Sequence, residues 1–286
     1  MADDKPIEIV PAPTKGTELS AAENALIEKL TGGSGRKYVR FVLAALGSIP
    51  WVGGVLGAAA ALSGEHEQGK INELQKLWLQ EHKEKIHELG QTLQDILTRL
   101  DGFGEEVRDR IESPAYLALV RRTFRSWDEA DTQEKKQMLK KLITNAGAIT
   151  LCPDDLVRLF VSWIDQYHEA HFLVVRHVYR NPGVTRGEIW DAIHPRRPRE
   201  DSAEADLFKY LIRDLTLGGV MRQERETNAQ GQFVRRPTQG ARRSPSSGVM
   251  ESAFEDTKPY ELTQLGGQFV HYVMEDVVPQ LGQAQQ

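Results

Sequence analysis

The sequence predicts a mainly helical protein with one small β-ribbon near its C-terminus. Apolar residues recur at alternating steps of three and four over much of the chain, the spacing of helices with one buried face. Helix-start signals stand where such runs begin, at Ser113-Pro114, at Thr185 with Glu188, and at Ser202. Only two short stretches, 220–225 and 231–236, read as strand.

The composition allows a sizeable core and narrows the class. Of 286 residues, 40% are hydrophobic and 27% charged, ordinary values for a folded protein. A formal net charge of −5 provides no overall attraction to nucleic acid or to acidic membranes, so any such binding needs a local patch. The single cysteine, Cys152, rules out a disulfide within the chain and suits a reducing compartment, so the expected location is cytoplasmic, with membrane association as a second reading.

Residues 1–35 read as a flexible tail. Their opening, MADDKPIEIVPAPTKGTE, mixes charges and has no apolar core, so it does not resemble a secretory signal. Residues 36–64 hold an apolar, Gly/Ala-rich hairpin: from Phe41 to Gly64 no side chain is ionisable. Gly47, Ser48, Ile49 and Pro50 break this run into two short helices, each too short to cross a hydrocarbon core of about 30 Å. Gly53 and Gly57 allow close backbone approach. The hairpin is buried within the fold, or pairs with another copy through Phe41, Leu43, Leu46, Trp51, Gly53, Val55 and Gly57, or inserts residues 41–64 into a bilayer.

Residues 65–112 read as one long amphipathic helix. Its stripe runs through Ile71, Leu74, Trp78, Ile86, Leu89, Leu93, Ile96, Leu100, Phe103 and Val107, with a kink or turn at Asp101-Gly102 and Gly104. Residues 113–166 make a helical-bundle segment. Ser113 caps the first of its helices with Pro114 at the first turn. Asp131 and Glu134 have capping-box spacing for the second. Cys152-Pro153-Asp154-Asp155 opens the third, its carboxylates suiting the positive end of the helix dipole.

Residues 167–279 form the last unit, before a short tail at 280–286. A helix, HEAHFLVVRHVYRN, ends before Pro182-Gly183. Thr185 caps a second over about 186–193, Ser202 caps a third that stops at Gly218-Gly219, and a ribbon leads to a closing helix after Leu262-Thr263. In the third helix Leu207, Phe208, Leu211, Ile212 and Leu215 read as the core stripe.

This order resembles the winged helix-turn-helix superfamily. The likeness is carried by Pro182-Gly183-Val184-Thr185, by Leu211 to Val220, and by Leu262-Thr263 with Gly266 and Phe269. It implies a macromolecular ligand, DNA or protein. The residues that would meet it are Arg196, Arg197, Arg199, Lys209, Arg213, Arg222, Arg225, Arg235 and Arg236, with Arg242 and Arg243 as further phosphate contacts. Against DNA, the third helix opens with Glu200, Asp201, Glu204 and Asp206, carboxylates that a major groove repels. More loosely, the apolar hairpin followed by LVRRTFRSWDEADTQEKKQMLKKLITNAG resembles helical proteins of bacterial phage-defence and abortive-infection loci, which implies an infection-linked role.

No catalytic set emerges. His168 and His171 are three apart, but no further Cys or His completes a zinc site. Gly32-Gly33-Ser34-Gly35 lacks the Lys-Ser/Thr of a phosphate-binding loop. No cofactor or metal is expected. The sequence thus reads as a non-enzymatic, self-associating binding or scaffold protein that forms homo-oligomers. The alternative is a membrane-active defence-type effector.

Overall fold

The computed structural model describes residues 37–53, 82–149, 151–224 and 252–275, together with Glu28, Leu77 and Gln80. The fold is mainly helical, with a single two-stranded antiparallel sheet among the described residues. Expectations at Val55, Gly57, Arg225, Arg235, Arg236, Arg242 and Arg243, and at the two tails apart from Glu28, fall outside that set.

Helix α1 (Val39–Leu46) is the first arm of the expected hairpin. It buries Phe41, Val42, Ala44, Ala45 and Leu46. After the Gly47-Ser48 turn the chain is helical again from Pro50 to Gly53, with Ile49 and Val52 buried. Of the predicted stripe, Ile71, Leu74 and Trp78 lie outside the described residues. Helix α2 (Lys83–Gly102) buries Leu89, Leu93, Ile96 and Leu100 of that stripe, with Leu97 beside them and Ile86 partly buried. It ends where the glycines foretold: Gly104 takes φ +82°, a left-handed conformation that costs glycine little. A 3-10 turn (Glu105–Val107) and the short α3 (Arg108–Glu112) follow, so the described part of 65–112 is three pieces.

Helix α4 (Pro114–Glu129) is the centre of the bundle, packed on α1, on α5 (Gln133–Ala148) and on α6 (Asp154–Gln166). Ser113 accepts from the Tyr116 amide with Pro114 behind it, as expected. The cap of α5 differs from expectation. Thr132, not Asp131, is the N-cap and accepts from the Lys135 amide. Its hydroxyl performs the same service one residue later, which shifts Glu134 out of box spacing.

The Phe41 ring lies 6.3 Å from Tyr116 and 6.1 Å, edge-on, from Phe124, fixing α1 to α4. Glu88 and Asp95 of α2 pair with Lys136 and Lys140 of α5 at 2.7 and 2.9 Å. Arg110 grips Asp154 through both terminal guanidinium nitrogens while its guanidinium carbon lies over the Tyr116 ring, 5.3 Å from the centroid. This two-pronged pairing ties α3 to the start of α6, a geometry that lysine cannot reproduce.

The C-terminal part contains α7 (Glu169–Arg180), α8 (Arg186–Ile193), α9 (Ala203–Leu217), β1 (Met221–Gln223), β2 (Tyr260–Leu262) and α10 (Gln264–Val273). Caps at Thr185–Glu188 and Ser202 form as read, and Gly219 takes φ +75° after α9. The strand paired with β1 is β2, in the register Met221–Leu262, Arg222–Glu261 and Gln223–Tyr260. The expected partner at 231–236 lies outside the described residues. Val184 adds an antiparallel bridge to Tyr260, so β2 runs between Val184 and β1.

Helix α10 packs back on α5 of the bundle. Phe269 lies between Phe160 and Trp163 of α6 and Phe172 of α7, with ring centroids 5.6, 5.4 and 6.3 Å away. Asn145 donates from its side-chain amide to the Tyr272 carbonyl at 2.9 Å. One continuous cluster of buried residues therefore runs from Tyr38 to Val273.

Candidate functional site

The C-terminal part presents α9 to solvent on a rigid base. Trp190 of α8 lies edge-on to Phe208 and Phe254 at 5.2 and 5.1 Å and against His194 at 4.1 Å. This aromatic cluster fixes α8, α9 and the turn before β2 to one another. At the start of α9 the Glu200 carboxylate accepts hydrogen bonds from the Ser252 hydroxyl and from the Ala253 amide at 2.9 Å. Those two bonds, led by Ser252, hold Glu200 below the usual carboxylate range.

Among the described residues, four of the six basic side chains expected to touch a ligand are engaged within the protein. Arg197 lies between Asp191 (2.7 Å) and Asp256 (3.3 Å), and its hydrogen bonds, chiefly to Asp191, push its pKa up. Arg199 pairs with Asp201 at 2.8 Å. Lys209 faces Glu200 at 3.6 Å and Asp206 at 3.8 Å. Arg222 bonds Glu261 across the ribbon at 2.7 Å. Arg196 and Arg213 are exposed; Arg196 also offers its carbonyl to the Trp190 indole N–H at 2.9 Å.

Leu207 overturns part of the core reading of α9. Phe208, Leu211, Ile212 and Leu215 are buried, but Leu207 is 56% exposed, Tyr210 55% and Leu217 75%. The signal was available, because at 100° per residue Leu207 points well away from the centre of the Phe208–Ile212–Leu215 arc. Glu204 and Asp206 are exposed beside these apolar groups.

The histidines serve α7. His168 is its N-cap, and the His171 ring accepts from the His168 amide at 3.1 Å through Nδ1. Its Nε2 faces the Asp214 carboxylate at 3.2 Å, off the line of a hydrogen bond, and Tyr167 stacks on the ring at 4.9 Å. Buried on all sides, this imidazole has no nitrogen open to a substrate. Burial lowers its pKa most, the Asp214 carboxylate opposes that, and His168 adds to the lowering. A histidine kept neutral when folded contributes stability that is present above the unfolded value near 6.5 and lost as pH falls below it. Urea melts are expected to weaken from pH 7.5 to 5.5 by up to about 1.4 kcal/mol per pH unit, and His171→Gln is expected to flatten that slope. An equal slope in the variant would assign the effect to other groups.

The residues expected to meet a membrane or another copy are distributed differently. Phe41 and Leu46 are in the core and Leu43 is 36% exposed. Trp51 is half-buried, its indole N–H donating to Asp128 at 2.7 Å, and Gly53 is exposed. Among the described residues no helix is long and apolar enough to cross a membrane, and no group of three or more His, Cys, Asp or Glu could hold a metal ion. Cys152 is buried, and that burial pushes its thiol pKa up, which suppresses the reactive thiolate. A groove of about 460 Å³ between α5, α7 and α10 is bordered by Glu134, Lys141, Arg176, Tyr179, Arg180 and Glu275. No family model matches this chain, and neither the curated proteins nor the solved structures provide a match.

Proposed function

We propose that residues 167–279 act as a winged-helix module whose α9 binds protein, within a non-enzymatic scaffold. The observation that carries this reading is the surface of α9. A groove-reading helix presents cations and hydrogen-bonding side chains to base edges. This one presents Leu207, Tyr210 and Leu217, with Glu204 and Asp206 and one exposed arginine, Arg213, beside them. Exposed apolar side chains on a rigid element, with an aromatic among them, are what protein interfaces use as anchors.

The winged-helix assignment draws on the order helix, bridge, helix, helix, strand, strand, and on β2 lying between Val184 and β1. The acidic pairing of Arg197, Arg199, Lys209 and Arg222 favours protein over DNA, since the neighbouring carboxylates offset the positive charge that a phosphate backbone would meet. The membrane-effector reading is less favoured. It requires Phe41, Val42 and Leu46 to leave the core, at about 1.5–3 kcal/mol for each large side chain exposed to water on the way.

The test is fluorescence anisotropy with a labelled duplex of mixed sequence over a range of salt. Binding is expected to be no tighter than the non-specific range of roughly 10⁻⁴–10⁻⁶ M at physiological salt. Submicromolar binding that falls steeply with salt and weakens in Arg196→Ala and Arg213→Ala would overturn the protein-binding reading.

A further inference from the structure

Resting on the reading of α9 as the interaction surface, we infer that a second copy of this chain docks on it, with the two α9 helices antiparallel about a twofold axis beside Tyr210. At 100° per residue, Ala203, Asp206, Tyr210, Arg213 and Leu217 fall within an arc of about 80°. The steps between them are three, four, three and four, the spacing of a helix–helix seam. The arc lies opposite the buried Phe208, Ile212 and Leu215.

The seam is complementary to itself. A twofold interface requires that when one residue meets another, the second also meets the first. With the axis at Tyr210, the two Tyr210 rings meet, and Leu217 of each copy covers the small Ala203 of the other. Asp206 lies four residues before the axis and Arg213 three after it. The carboxylate of one copy therefore comes within one residue, about 1.5 Å in height, of the guanidinium of the other. Both side chains lie on the same side of the seam, the arrangement that an antiparallel pair brings face to face. The pairing occurs twice.

Both charges are available for it. Asp206 and Arg213 are exposed, and the Asp206 carboxylate has Lys209 only at 3.8 Å. The same pair opposes a parallel arrangement, which would set Asp206 beside Asp206 and Arg213 beside Arg213. One helix stripe covers less than the roughly 800 Å² per partner of a standard interface, so the dimer is weak and depends on concentration.

The experiment is sedimentation equilibrium of the full chain from micromolar to several hundred micromolar, with charge reversals at the seam. Wild type is expected to pass from monomer to dimer. Asp206→Arg and Arg213→Asp are each expected to weaken the dimer by roughly tenfold or more by opposing like charges. The double variant, which exchanges the two charges, is expected to restore it. A monomeric wild type, single variants that dimerise like wild type, or a double variant no better than the singles each overturn the inference. An independent readout uses Tyr210→Cys, expected to form a disulfide-linked dimer under mild oxidation. Thr216→Cys, about 100° off the seam, is expected to remain monomeric; equal cross-linking at the two sites also overturns it. A monomer that binds no DNA removes only this inference, whereas DNA binding lost with Arg213→Ala removes the protein-binding reading beneath it.

Discussion

Phe269→Ala is expected to destabilise the whole chain by about 3–5 kcal/mol, the usual cost of emptying a large aromatic site in a packed core. The ring is fully buried and touches Phe160, Trp163 and Phe172. The cavity would open where bundle and C-terminal helices meet, so both parts lose contacts at once. Set against a typical total of about 5–15 kcal/mol, this is a large share of the stability, and from a total of about 5 kcal/mol it leaves a sizeable unfolded fraction. Urea unfolding followed by far-ultraviolet circular dichroism and by tryptophan fluorescence checks it. Trp163 and Trp190 lie on the two sides of the joint, and coincident transitions are expected from both probes. A loss under 1 kcal/mol, or separate transitions in wild type, would show that Phe269 is not shared between the two parts.

The glycines of α10 are expected to respond to alanine with opposite signs. A methyl group at Gly266 would lie 2.0 Å from the Val220 carbonyl oxygen, a backbone atom with no rotamer to yield. That oxygen already accepts from the Thr263 amide at 3.0 Å, and the Thr263 hydroxyl donates to the Gly219 carbonyl at 2.7 Å. Gly266→Ala must push β1 and α10 apart, at about 1–3 kcal/mol for overpacking. At Gly267 a methyl group meets nothing within 4 Å. Gly267→Ala is expected to stabilise by a few tenths to about 1 kcal/mol through helix propensity and a less free unfolded chain. Thermal melts of the two variants side by side separate these outcomes, and two shifts of the same sign would contradict the close approach at Val220.

What could be read from the sequence followed the range of the interactions. Caps act over three residues, and Ser113, Thr185 with Glu188, and Ser202 were legible for that reason. Thr132 was missed because Asp131 beside it offers an oxygen at nearly the same place. The break near Gly104 was legible because few residues other than glycine take its φ. Pairings over long separations were not. Tyr260 meets Gln223 across 37 residues and Arg197 meets Asp256 across 59, and no local periodicity marks such partners. The candidate surface was half legible. The acids that open α9 were noticed, but Arg197, Arg199 and Arg222 around it were counted as ligand contacts, since a sequence does not say which carboxylate stands beside each one. Leu207 was assigned to the core by its apolar character, although its helical angle places it outside.

Helix α10 reverses the usual order of assembly during synthesis. Its Phe269 completes a core whose other walls, Phe160, Trp163 and Phe172, leave the ribosome about a hundred residues earlier. Until that helix emerges, the apolar faces of α5 and α6 that it buries stay exposed. Nascent chains halted before residue 264 are therefore expected to depend on chaperones far more than chains released after it. For this protein the wait is fixed by topology and does not shorten with a more stable bundle.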